Sequence, residues 1–197
     1  AVEYLKVCKK EGIQNNFWNG KSTAVCLTHD VDTLEGYKFS PTMMKMDSEQ
    51  GIPSVFNFLS QGDYFVDRGF MSELQSAGFE IGSHGVRHEL GLARKNLALL
   101  EDEFRRCFDD WASMGVEIKG FRAPAFSITE DMLFVLEKLG IVYDSSLQVC
   151  NGHYHSCEVN FPYRYPGHKI WEIPLAIQDD LFFCRILNIF HSKLDYK

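Results

Sequence analysis

The chain has 197 residues, 45% of them apolar and 24% charged, and its 20 Lys+Arg against 27 Asp+Glu give a net charge of −7. This composition fits one globular domain with a sizeable core and excludes a disordered tail, a collagen-like repeat and a small disulfide-stapled scaffold. The acidic balance, with no basic run longer than Lys9-Lys10 or Arg105-Arg106, excludes a concentrated nucleic-acid-binding arm, so nucleic acid is not an expected partner.

Taken in chain order, the apolar run Thr23 to Thr28 predicts a buried strand that delivers the polar loop His29-Asp30-Val31-Asp32. Pro41 is placed to start a helix through Gln50, stopped by Gly51, with Met43, Met44 and Met46 as packing residues. Pro53 to Leu59 reads as a second strand, Phe70 to Ala77 as a helix and Phe79 to Ser83 as a third strand. Leu92, Leu97, Leu100, Phe104, Phe108 and Trp111 share one face of a long helix from about Leu92 to Met114. A strand over Ile118 to Arg122, a helix capped by Thr129 and ending at Leu139, and a strand at Ile141 to Tyr143 follow. A polar loop over 147–168 then leads to a sixth strand, Lys169 to Ile177.

Strands alternating with helices predict a parallel sheet or barrel in a single domain. A full eight-unit (β/α) barrel takes about 250 residues, so this length supplies about six units and does not fit one. No apolar run approaches the roughly 18 residues of a membrane-spanning helix, and the N-terminal residues lack a signal-peptide layout. Six cysteines are too few for a disulfide framework, and buried free thiols are expected at Cys26 and Cys107; the compartment stays open, leaning to the cytoplasm, with an extracellular or cell-envelope location the alternative if a signal peptide was removed.

The polar residues fall where the strands end. His29 to Asp32 follows strand one, His84-Gly-Val-Arg-His88 follows strand three, Arg122 ends strand four and Asp144 follows strand five. Parallel α/β architectures gather their sites at those ends. Singly, Asp-x-Asp is ordinary turn chemistry and His-x-x-x-His a pair of surface histidines. Together they offer two imidazoles and one carboxylate, the ligand set of an open catalytic zinc site, with one carboxylate spare to take a proton from a water. Arg122, from another strand, can hold that carboxylate charged and oriented.

LTHDVD at 27–32, GSHGVRHE at 82–89, FRAPAFS at 121–127, YDSS at 143–146 and WEIPL at 171–175 occur in that order over about 150 residues. They resemble the polysaccharide deacetylase family (NodB homology, carbohydrate esterase 4), with the THDVD, YDSS and EIP forms marking a subgroup. The resemblance implies a distorted (β/α) barrel of about seven strands and metal-dependent, most simply zinc-dependent, removal of acetyl groups from sugars. It implies Asp30 as catalytic base; Asp32, His84 and His88 as metal ligands; and Arg122 as the arginine that positions the base. The Ala125 N–H becomes an oxyanion donor and Asp144 the support of a general-acid histidine, while Phe126 and Trp171 are either groove-lining or core residues. Two positions depart from the family pattern. Gly85 replaces the usual Ser or Thr after the first histidine, removing a hydroxyl that braces the loop. After Asp180 the only candidate for the acid histidine is His191, and the expectation is a catalytic domain cut before its last unit.

Cys150, His153, His155 and Cys157 crowd four possible ligands into one loop, open to reading as solvated loop, Cys150–Cys157 disulfide or second metal site. For the whole chain the expected partner is a carbohydrate substrate. The alternatives are a metal-retaining carbohydrate-binding relic and a hydrolase of a non-sugar amide.

Overall fold

The computed structural model describes residues 24–149, 157 and 159–177. A seven-stranded sheet in the order β1-β2-β3-β4-β5-β7-β6 organises them. The strands are β1 Leu27–Val31, β2 Ser54–Phe58, β3 Glu80–Ser83, β4 Gly120–Phe121, β5 Tyr143–Asp144, β6 Tyr163–Arg164 and β7 Trp171–Glu172. β1 to β5 and β7 pair in parallel, and only the β6–β7 pair is antiparallel. The helices are α1 Leu34–Glu49, α2 Arg68–Ser76, α3 Leu97–Ser113 and α4 Glu130–Lys138. The fold is thus the expected α/β one with seven strands, and among the described residues the sheet is not closed: β1 and β6 are its edges.

Apolar faces explain the layering. One core cluster holds Val31, Phe56, Phe58, Met71, Leu74 and Trp111, joining β1, β2, α2 and α3. The other holds Leu100, Phe104, Phe121, Leu136 and Ile170, joining α3, α4 and β4. Phe56, Phe58, Phe104 and Trp111 are all fully buried. Each such side chain stabilises the fold by about 1.5–3 kcal/mol relative to exposure. Among the described residues no helix is long and apolar enough to cross a membrane.

Several predicted boundaries move, each for a local reason. β1 runs through His29, Asp30 and Val31 rather than stopping before them, because those residues pair in register with Phe56, Asn57 and Phe58 of β2. Cys26, outside the strand, is consequently exposed rather than buried, while Cys107 is buried as expected. α1 begins at Leu34 and carries Pro41 in its interior; the start is set by Thr33, whose side chain accepts from the Gly36 N–H at 3.2 Å. Met43 and Met44 pack on the core, whereas Met46 faces solvent. The long helix predicted from Leu92 is two elements. A single 3₁₀ turn at Leu92–Arg94 gives way to α3, which Asn96 caps by accepting from the Leu99 N–H at 3.1 Å. The 147–168 loop contains β6, whose two residues pair with β7 as a short hairpin.

Candidate active site

β1 carries Asp30, and Asp32 follows one residue past its end, while Val31 between them enters the core. His29, on the same side as Val31, serves the scaffold: its Nε2 lies 2.7 Å from Asp47 Oδ2 of α1, which also accepts from Ser54 Oγ of β2 at 2.6 Å. The ladder continues past the strand ends, with the His84 N–H donating to the Phe58 carbonyl at 2.8 Å and the Arg122 N–H to the Ser83 carbonyl at 2.9 Å. With the β1–β2 pairing, this brings the ends of β1, β2, β3 and β4 together.

Asp32, His84 and His88 converge so that one ligand atom from each lies within 4.8 Å of the others. His84 Nε2 is 3.2 Å from Asp32 Oδ1, and His88 Nε2 is 3.6 Å from Asp32 Oδ2. Ligand atoms on a tetrahedral zinc with bonds near 2.1 Å are separated by about 3.4 Å, which these spacings bracket. Two further observations bear on the fit. His84 Nδ1 sits 2.7 Å from the Arg122 carbonyl oxygen, an acceptor only, so that nitrogen carries the proton and Nε2 of the neutral ring turns a lone pair inward. Asp32 Oδ1 is buried yet has no hydrogen-bond partner, so two electron-rich atoms face each other, an arrangement a divalent cation would satisfy. Burial pushes the Asp32 carboxyl up; when the His84 and His88 rings carry protons instead of facing a cation, their charge outweighs burial and holds its pKa below the ordinary value.

Beside this group lies an ion pair. Arg122, 3% exposed, donates from Nη1 to Asp30 Oδ1 at 3.0 Å and to Thr28 Oγ1 at 2.8 Å. Its Nε donates to the Ser145 carbonyl and its Nη2 to Ser145 Oγ, both at 2.8 Å. Asp30 Oδ1 also accepts from Asn57 Nδ2 at 2.8 Å. Both donors therefore meet on one oxygen of the carboxylate.

After Arg122 the chain makes a tight turn in which Ala125 (φ 53°) and Phe126 (φ 57°) are both left-handed, a conformation non-glycine residues rarely adopt. Ala125 is exposed, and its N–H has no acceptor among the described residues. Gly85 also has a positive φ, 90°, which accounts for glycine where Ser or Thr was expected. The bracing hydroxyl comes instead from Ser83, whose Oγ accepts from the Gly85 N–H at 3.2 Å. Further bonds from Ser60 and Gln61 N–H to the Gly85 and Val86 carbonyls, at 3.0 and 2.8 Å, fix the loop.

The remaining predicted residues lie elsewhere. Asp144 is not brought to the Asp30–Arg122 pair. Ser145 faces Arg122, so Asp144 points to the opposite side of the sheet, fully buried, beside its register partner Glu172. Tyr165 Oη contacts both carboxyls, at 3.0 Å to Asp144 and 2.5 Å to Glu172. Burial, with the neighbouring Asp144 charge, pushes the Glu172 carboxyl up to about 10, and burial likewise raises Asp144. Phe126 and Trp171 are half-buried, and the Arg164 guanidinium lies over the Trp171 ring at 5.0 Å. His191, Cys150, His153 and His155 lie outside the described residues. Cys157 is a free thiol, donating to the Val159 carbonyl at 3.4 Å. Asn57, Thr28 and Ser145 were not singled out from sequence. For Asn57 a signal existed: a carboxamide interrupting the apolar strand Ser-Val-Phe-Asn-Phe-Leu.

Comparison with known proteins places this geometry in context. Residues 19–143 match the family model described as polysaccharide deacetylase. Among solved structures, a Mycobacterium smegmatis protein assigned provisionally to the polysaccharide deacetylases superposes with a TM-score of 0.65 at 21% identity, over 82% of this chain and 62% of that one. The Streptococcus pyogenes deacetylase PplD, in complex with acetate, superposes with a TM-score of 0.58 at 13% identity, over 80% and 66%. A family 4 carbohydrate esterase from Streptomyces lividans, also with acetate, gives 0.54 at 19% identity, over 63% and 62%. At these identities the likeness is one of fold. The chain spans less than two thirds of the length of each of these structures. No curated protein matches the sequence. The family match covers more than half of the chain, and the chain belongs to the polysaccharide deacetylase family.

Proposed function

We propose that the protein hydrolyses the acetamide of N-acetylated sugars, with Asp32, His84 and His88 holding a divalent cation, most simply zinc. The observation that carries this reading is the juxtaposition of that ligand group with the Arg122-bound Asp30 carboxylate at adjoining strand ends. A cation bound there would polarise the acetyl carbonyl and lower the pKa of a water toward about 7.

The chain's own residues divide the remaining work. Asp30, with Oδ1 occupied by Arg122 and Asn57, turns Oδ2 to the water and takes its proton as oxygen attacks the acetyl carbon. Arg122 fixes the carboxylate through a guanidinium itself anchored on Thr28 and Ser145. The free Ala125 N–H, carried on a strained turn, donates to the oxyanion as the carbonyl becomes tetrahedral. The C–N bond then breaks, releasing acetate and an amine whose proton must come from a general acid; His191 is the candidate within this chain. Phe126, next to Ala125, and Trp171 are the candidate walls for the sugar. The test is acetate release from N-acetylated chito-oligosaccharides by the zinc-loaded protein. Turnover that disappears on chelation and returns with zinc supports the reading. Ammonia released from non-sugar amides with no acetate from any N-acetyl sugar contradicts it.

A further inference from the structure

Asn57 sits in the middle of β2 between Phe56 and Phe58, both fully buried, and is itself 3% exposed. A carboxamide there costs about 1–3 kcal/mol unless its polar atoms are bonded. Its Nδ2 donates to Asp30 Oδ1, 2.8 Å away on the adjoining strand. Space for the side chain comes from a third strand: a Cβ on Gly82 would lie 2.1 Å from Asn57 Oδ1 and 3.2 Å from its Cγ. Gly82 has no positive φ, so its backbone does not demand glycine. The demand comes chiefly from Asn57, with Val55 Cγ1 at 3.3 Å a milder second contact. Asp30, Asn57 and Gly82 are consecutive partners in the parallel register, and two strands are thus shaped around one N–H aimed at Asp30.

We propose that Asn57 is a positioning residue for Asp30, an inference that rests on the reading of Asp30 as general base. A single donor on Oδ1, from Arg122, leaves the carboxylate free to pivot about that contact. A second donor arriving from β2 removes the pivot and fixes where Oδ2 points. Misplacing a reacting group by about 1 Å can cost roughly 100-fold in rate, so small rotations of this carboxylate matter. Asn57 is buried and its side-chain N–H goes to Asp30, so its effect on the reaction is expected to pass through Asp30.

The experiment compares zinc-loaded wild type, Asn57→Ala, the volume-keeping Asn57→Leu, Gly82→Ala and the double variant Asn57→Ala/Gly82→Ala, using acetate release from chito-oligosaccharides and zinc affinity by titration calorimetry. Expected is a kcat loss of roughly 10- to 100-fold in both Asn57 variants, with KM and zinc affinity within about twofold of wild type. Gly82→Ala should cause a comparable loss alone and almost none in the Asn57→Ala background, because the group it displaces is already gone. The proposal is overturned if kcat in either folded Asn57 variant stays within about twofold of wild type, if KM or zinc affinity carries the loss, or if Gly82→Ala costs the same in both backgrounds. An inactive wild type overturns the general-base reading and this proposal with it; an active wild type indifferent to Asn57 overturns this proposal alone.

Discussion

At Gly85 the sequence pattern and the structure pull in different directions, and the backbone decides. Restoring the family's Ser at this position adds a hydroxyl but forces a φ of 90° on a residue with a Cβ. Nothing crowds that Cβ, whose nearest neighbours are 3.8 Å and farther, so the cost is conformational. Gly85→Ser should therefore lose about 1–2 kcal/mol of stability by chemical denaturation. A neutral or stabilising result would show that the loop relaxes out of the left-handed region. Residue chemistry was the most legible layer of the sequence. Asp30, Asp32, His84, His88 and Arg122 are brought together, because strand ends in a parallel sheet gather whatever polar residues they carry. Asn57, Thr28 and Ser145 were not anticipated, since their value lies in cross-strand partners separated by tens of residues. Asp144 shows the converse. Its motif was visible, but strand alternation turned the side chain to the other face, which a two-residue strand does not announce.

At the scale of elements, the β5–β7 pair carries the most unusual electrostatics. Asp144 and Glu172 lie side by side, both fully buried, with a phenol whose single proton can satisfy only one of them. At least one carboxyl is therefore protonated in the folded state. Glu172 has a folded pKa of about 10, far above the value of about 4.3 expected unfolded. Between those values the folded chain binds more protons than the unfolded one, so this pair's contribution to stability falls as pH rises from about 5 toward 10. Glu172→Gln keeps an acceptor for the Leu147 N–H and supplies donors to Tyr165 without a titrating proton. Thermal melts from pH 5 to 9 should show a flatter decline than wild type, with the variant gaining most at the alkaline end. Parallel slopes would contradict the shared-proton account. His168 gives the same sign over a different pH range. Its two ring nitrogens lie 3.1 and 2.9 Å from Glu137 and Glu130 of α4, which requires both to be protonated. Burial pulls its pKa down, but those two carboxylates outweigh it and the pKa is raised. The clamp between the β6–β7 turn and α4 is thus in place below about pH 6.5 and is lost as pH rises through the raised value. Element types were legible wherever apolar periodicity was long, as in α3. Boundaries shifted where a cap or a partner strand outweighed composition: Thr33 at α1, Asn96 at α3 and β2 alongside β1.

At the scale of the whole molecule, six parallel strands and one antiparallel hairpin strand among the described residues hold the candidate ligand group and the Asp30–Arg122 pair on one rim. The seventh strand came from a segment read as loop, because two residues carry too little pattern to mark a strand. If Asp32, His84 and His88 bind zinc only when folded, zinc stabilises the native state, by about 2.7 kcal/mol at 100 times the dissociation constant. Thermal melts with and without zinc should show that gain in the wild type and in Asp30→Asn, and its loss in His88→Ala. An equal gain in His88→Ala would place the metal elsewhere.

The most direct measurement pairs zinc affinity with turnover in a single substitution, Asp30→Asn, assayed by acetate release from N-acetylated chito-oligosaccharides. The account predicts zinc binding within about twofold of wild type and turnover lower by roughly 100-fold or more, the contribution expected of a general base. Wild-type turnover in Asp30→Asn with zinc bound would contradict the assignment of Asp30 and the mechanism built on it.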